Sequence, residues 1–129
     1  MKKIFQQCLK IAQDHNTPDL HPEWGCYHHF SFIIQDNKII EWATNTRAES
    51  LKYNGYAGHC KIHSESRAYK RARGILNKGY SFDVINIRLT KKNKLKLSKP
   101  CPCCYNFLKG LGAKKIWFTT EFGFARLVI

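Results

Sequence analysis

Two short motifs, His63-Ser64-Glu65 and Pro100-Cys101-Pro102-Cys103-Cys104, constrain this chain more than any other feature. They supply an imidazole, a carboxylate just beyond it, and the Cys101/Cys104 thiolate pair. Zinc takes imidazole nitrogen and thiolate sulfur in a tetrahedron with bonds of about 2.0–2.3 Å. A chain that closes such a set must bring two distant helix starts to one point. Cys101 and Cys104 sit where a turn enters a predicted helix, and unpaired amides at a helix start favour thiolate over thiol. His63 begins another predicted helix and supplies the third ligand. Three protein ligands leave one position for water, the arrangement of a catalytic site. Glu65 lies outside the ligand set, within the first turn, where it can reach that water. Zinc lowers the water pKa towards ~7, and a neighbouring carboxylate can take up and return its proton.

The elements around these motifs alternate in type. Residues 2–14 place Ile4, Phe5, Cys8, Leu9, Ile11 and Ala12 at helical spacing. Aromatic and β-branched residues from Cys26 to Gln35, the turn Asp36-Asn37-Lys38, and Ile39–Ala43 read as a β-hairpin. Residues 44–62 read as a loop. A helix from His63 carries Ala68, Tyr69, Ala72, Ile75 and Leu76 on one face, with Arg67, Lys70, Arg71 and Arg73 outward, and ends at Asn77-Lys78-Gly79. Phe82–Thr90 alternates as a strand, Lys91–Lys99 is a basic turn, and a third helix starts near Pro102. Lys115–Thr120 and Phe124–Ile129 complete the strands. The expected architecture is one domain, residues 1–129, built as a three-layer α/β/α sandwich around a mixed sheet of four to five strands.

Composition narrows the setting. A chain of 129 residues with 43% hydrophobic and 24% charged content is expected to fold around a single core. No apolar run approaches the ~18–20 residues that span a bilayer. The start Met1-Lys2-Lys3-Ile4-Phe5-Gln6-Gln7-Cys8 lacks the features of a secretory signal, so the expected location is intracellular and cytoplasmic. The six cysteines, with Cys103 and Cys104 adjacent, then point to a metal and not to a disulfide framework. A balance of 22 Lys+Arg against 9 Asp+Glu, +13 overall, favours an anionic partner: nucleotide phosphate or a polynucleotide.

His63-Ser64-Glu65 with Pro100-Cys101-Pro102-Cys103-Cys104 resembles the signature of the zinc-dependent cytidine/deoxycytidylate deaminase superfamily, over about residues 26–120. The resemblance implies a cytidine-deaminase-like fold and a zinc-activated water that attacks the amine-bearing ring carbon. It implies Glu65 as the group that protonates the ring nitrogen and then the leaving amine, releasing ammonia. It further implies Asn45, in Ala43-Thr44-Asn45-Thr46-Arg47, as a substrate-contacting residue, and it leaves room for oligomers. Ser64 departs from the small residue usual between His and Glu. Only nine residues follow Thr120, which suits a short hairpin through Glu121-Phe122-Gly123 with an antiparallel last strand. That ending departs from tRNA adenosine deaminases.

The substrate expected is a cytosine-type base, in a nucleoside, a nucleotide or single-stranded DNA or RNA, with charge favouring the polynucleotide. An adenine deaminase is the enzymatic alternative. The non-enzymatic alternative is a basic zinc module in which Cys60 joins His63, Cys101 and Cys104 in a closed site. Lys91, Lys92, Lys94, Lys96 and Lys99, with Arg67, Arg71 and Arg73, form a candidate phosphate-tracking surface, with Trp24, Trp117, Phe122 or Phe124 as candidate stacking platforms. Cys8 reads as core, and His28 and His29 as strand residues.

Overall fold

The computed structural model describes residues 2–16, 27–44, 64–90, 92–100 and 102–128. Its elements are α1 (Lys2–Asp14), β1 (Tyr27–Gln35), β2 (Lys38–Thr44), α2 (Ser64–Ala72), β3 (Phe82–Thr90), β4 (Leu95–Lys96), α3 (Pro102–Leu111), β5 (Ala113–Thr120) and β6 (Gly123–Val128). The sheet has six strands in the order β2-β1-β3-β5-β6, with β4 paired to β3. The alternating α/β order and the mixed sheet are as the sequence predicts, and β6 runs antiparallel to β5 as expected.

Each face of the sheet buries its own set of alternating side chains. Phe30, Phe32 and Ile34 of β1 and Ile85, Ile87 and Leu89 of β3 meet Ile4, Cys8 and Ala12, the inward stripe of α1. Ile33, Val84 and Ile116 face the other way, against Ala68 and Ala72 of α2 and Leu108 of α3. This is the three-layer sandwich. Asp36 and Asn37 both have positive φ (53° and 59°), which closes the β1–β2 hairpin with a two-residue turn of the hand that matches strand twist.

The end of α2 and the Lys91–Lys99 stretch depart from the expected pattern. Helix α2 ends at Ala72 and not near Asn77. Both Ile75 and Leu76 donate to the Ala72 carbonyl, Gly74 weakens helix continuation, and Ile75 turns out to solvent instead of extending the apolar stripe. The chain is caught next by Gln35, whose Oε1 accepts from the Asn77 amide at 2.8 Å. The Lys91–Lys99 stretch is more than a basic turn. Asn93, at φ 63°, lets the chain reverse, and Leu95 and Lys96 pair with Leu89 and Arg88. That short strand takes the sheet beyond the four to five strands expected.

The topology opens a fork in the sheet. β3 and β5 are parallel neighbours from Phe82/Ala113 to Asn86/Phe118, joined by the α3 crossover that a parallel pair requires. Beyond Asn86, β4 takes the place of β5 beside β3. Carboxyl ends of parallel strands at such a divergence are where open α/β sheets hold ligands.

Candidate active site

Glu65 is the second residue of α2 and is only 5% exposed, so the helix start delivers its carboxyl into the interior and not to solvent. A buried carboxyl needs hydrogen-bond partners. The sheet provides one in Asn86, near the middle of β3, whose Nδ2 donates to Glu65 Oε2 at 3.1 Å. The same Nδ2 donates to the Ser98 carbonyl at 3.3 Å. A carbonyl can only accept, which fixes the amide's orientation and turns its Oδ1 towards Ser31. Ser31 Oγ donates to that oxygen at 2.7 Å. Having spent its proton, Ser31 accepts from Ser64 Oγ, 2.6 Å away, and Ser64 also lies 3.3 Å from Glu65 Oε1. Ser31, Ser64, Glu65, Asn86 and Ser98 are all buried.

Asn86 therefore ties the first turn of α2 to Ser98, in the segment that leads directly to the Pro100–Cys104 motif. Ser98 is held in turn at the sheet fork. Its amide donates to the Thr119 carbonyl at 3.0 Å, and its hydroxyl to the Asn86 carbonyl at 2.9 Å. Cys104 is a buried thiol in the first turn of α3, 1% exposed, behind Pro102 at the helix start. Helices α2 and α3 pack against each other on this face.

His63, Cys101 and Asn45 lie outside the described residues, as does Cys60 of the alternative closed site. Among the described residues no three His, Cys, Asp or Glu side chains form a group that could hold a metal. Two members of the predicted site, Glu65 and Cys104, are thus described, each buried near the start of its helix. Ser64 does not merely tolerate its position between His63 and Glu65; its hydroxyl bonds into the sheet. Ser31 and Asn86 lie outside both sequence motifs. Their signal is a polar residue in the middle of an apolar strand, in Phe30-Ser31-Phe32 and Ile85-Asn86-Ile87.

The surface reading changes in part. Arg67 and Arg71 do not simply point outward, for they donate to the β2 carbonyls of Thr44 (2.7 Å) and Trp42 (3.0 Å) and strap α2 to the sheet edge. Trp117 and Phe124 are half-buried and already packed within the protein. Phe5 of α1 packs edge-on to Trp117 at 4.9 Å and stacks on Phe124 at 4.5 Å, with Arg126 over the indole. Phe122 stands out at the β5–β6 turn, 98% exposed, on the rim of a cavity of about 350 Å³ shared with Arg88, Lys96, Leu97, Thr120 and Glu121. Lys92, Lys94 and Lys99 are exposed. Lys91 and Trp24 lie outside the described residues. Cys8 is core, with its thiol pushed up to about 12 by burial. No helix among the described residues is long and apolar enough to cross a membrane.

No family model matches the chain, and no curated protein matches it significantly. Among solved structures, the chain is similar to the crystal structure of cytidine deaminase from Mycobacterium leprae. The TM-score is 0.61 at 12% identity, over 95% of this chain and 92% of that one. At that identity the likeness speaks for the fold, which is that of a cytidine deaminase.

Proposed function

We propose that this protein is a zinc-dependent hydrolytic deaminase of a cytosine-type base, a single-domain enzyme acting on single-stranded DNA or RNA ahead of the free nucleoside or nucleotide. The observation that carries the reading is Glu65. A carboxyl at the buried start of α2, hydrogen-bonded from the sheet by Asn86, is costly to keep there without a task. The cytidine-deaminase-like fold and the His63-Ser64-Glu65 and Pro100–Cys104 motifs support the same reading.

The donor set fits zinc. Cys104 is a buried thiol at a helix start, where thiolate is favoured, and His63 and Cys101 would complete a nitrogen and two-sulfur set with a position left open. When bound, the metal would supply a water acidic enough to attack at neutral pH. Glu65 would accept one proton of the attacking water and deliver it to the ring nitrogen, then take the second from the hydroxyl formed on the ring carbon and pass it to the amine, so that the C–N bond breaks, ammonia leaves and a carbonyl remains. Asn45 would contact the substrate. The net charge of +13 and the exposed lysines beside β4 favour a phosphate-bearing substrate.

The test is direct. Zinc-loaded protein and Glu65→Ala are incubated with cytidine, deoxycytidylate, adenosine, single-stranded DNA and single-stranded RNA, and uracil and hypoxanthine are scored by mass. Glu65-dependent uracil is the expected product. Hypoxanthine alone would move the assignment to adenine, and no Glu65-dependent product from any substrate would remove the enzymatic reading.

A further inference from the structure

Glu65 has one oxygen held tightly by geometry and one held loosely. Oε2 accepts from Asn86 Nδ2 at 3.1 Å, whereas among the described residues Oε1 has only Ser64 Oγ at 3.3 Å, and the Ser64 proton is drawn to Ser31 at 2.6 Å. Asn86 is itself immobilised at both ends of its amide, by the Ser98 carbonyl and by the Ser31 hydroxyl. It is 2% exposed, so water does not compete for these bonds. Every donor in this chain has one direction: Ser64 to Ser31, Ser31 to Asn86 Oδ1, and Asn86 Nδ2 to Glu65 and Ser98.

From this one-way chain we infer that Asn86 is the positioning residue of the site, anchoring Glu65 Oε2 so that Oε1 is the oxygen that exchanges protons. The inference rests on the proposed deaminase reading for its catalytic consequence, but not for the contact itself. Asn86 touches no reacting atom. It acts by removing the rotational freedom of the Glu65 carboxyl, and an error of about 1 Å in a reacting group can cost on the order of 100-fold in rate. Because Nδ2 also holds the Ser98 carbonyl, the same amide sets the spacing between Glu65 and the segment entering the cysteine motif.

Asn86→Asp is the discriminating variant. It keeps the shape and the acceptor for Ser31 but replaces the donor facing Glu65 and Ser98 with an oxygen. In the zinc-loaded enzyme kcat should fall about 10- to 100-fold, with KM changed by less than roughly twofold and bound zinc unchanged. In a Glu65→Ala background the same substitution should cause no further loss. Ser31→Ala, a milder change that leaves the Asn86–Glu65 bond in place, serves if Asn86→Asp does not fold. It should lower kcat in the same direction, and only when Glu65 is present.

A readout independent of activity accompanies these. Asn86→Asp should lower the denaturation midpoint more in the protein with Glu65 than in Glu65→Ala, because the new carboxyl then faces only the Ser98 carbonyl and no second carboxylate. Equal shifts in the two backgrounds would overturn the contact. Unchanged kcat in a folded, zinc-loaded Asn86→Asp would overturn the positioning role. Inactivity of the wild type on every base would instead strike the deaminase reading, with the unfolding cycle still deciding the contact.

Discussion

The hydroxyl oxygens of Ser98 and Thr119 lie 2.8 Å apart at the point where β5 parts from β3 and β4 enters. The two hydroxyls close the backbone groups that the fork would otherwise strand. Ser98 Oγ donates to the Asn86 carbonyl and accepts from the Thr119 amide at 2.7 Å. Thr119 Oγ1 donates to the Lys96 carbonyl at 2.7 Å and accepts from the Arg88 amide at 3.2 Å. Both residues are buried, so no solvent stands in for a lost partner. Thr119→Val preserves shape and deletes only the hydroxyl. It should cost about 1–3 kcal/mol, the usual penalty for leaving a buried polar group without its partner. Denaturant unfolding measures it; a loss below a few tenths would mean that the fork closes without the hydroxyl.

Metal content separates the proposed open site from the closed one. Cys104→Ala should abolish stoichiometric zinc, read by metal analysis after dialysis. Glu65→Ala should retain zinc and the fold while lowering turnover by about 100- to 10,000-fold, the range for a proton-transfer group. Cys60→Ala should retain zinc as well. Zinc lost from the Cys60 variant would close the site at four ligands and leave no position for water.

Burial of Cys8 against the sheet predicts an alkaline limb of stability. Its thiol rises from an ordinary 9.0 to about 12 in the folded protein. Below pH 9 the thiol is neutral in both folded and unfolded chains and contributes no pH dependence. Between about 9 and 12 the unfolded chain loses this proton and the folded one keeps it, so stability falls as pH rises. The slope from this one group is about 1.4 kcal/mol per pH unit. Cys8→Ala, though less stable at neutral pH for want of the sulfur, should show a shallower alkaline fall. Parallel curves for the two proteins would remove Cys8 as the cause.

What could be read in the sequence divides along a physical line. Alternation within β3 and the stripe Ile4-Cys8-Ala12 of α1 were legible because burial on one face imposes a period on residue type. The end of α2 was not, because Ile75 and Leu76 keep the helical spacing although the backbone turns away after Ala72. Nor was β4, a two-residue strand whose Leu95 and Lys96 carry no alternation to detect. At the site, Glu65 and Cys104 could be named from motif spacing. Asn86 and Ser31 could not, since their roles arise only when β1, β3 and α2 meet. The same is true of Trp117 and Phe124, which offer aromatic faces in the sequence but spend them on Phe5.

Among the described residues, Phe122 is the most exposed aromatic candidate for stacking on a single-stranded substrate. It projects from the β5–β6 turn almost fully exposed, beside a cavity that also takes in Arg88 and Lys96. Lys96 is paired with Glu121 at 3.1 Å, so the charge at this rim is partly neutralised and stacking should carry much of the local contact. Stacking of a base on an aromatic ring contributes about 1–3 kcal/mol. Phe122→Ala should therefore weaken oligonucleotide binding roughly 5- to 150-fold, with no change in unfolding because the ring buries nothing. Turnover of free cytidine should be unaffected. Binding of the wild type should also weaken steeply between low and moderate salt, as phosphate contacts release counterions. Fluorescence anisotropy with a labelled single strand measures both effects. Equal affinity of wild type and Phe122→Ala, together with salt-insensitive binding, would turn the substrate assignment from polynucleotide to free nucleoside or nucleotide.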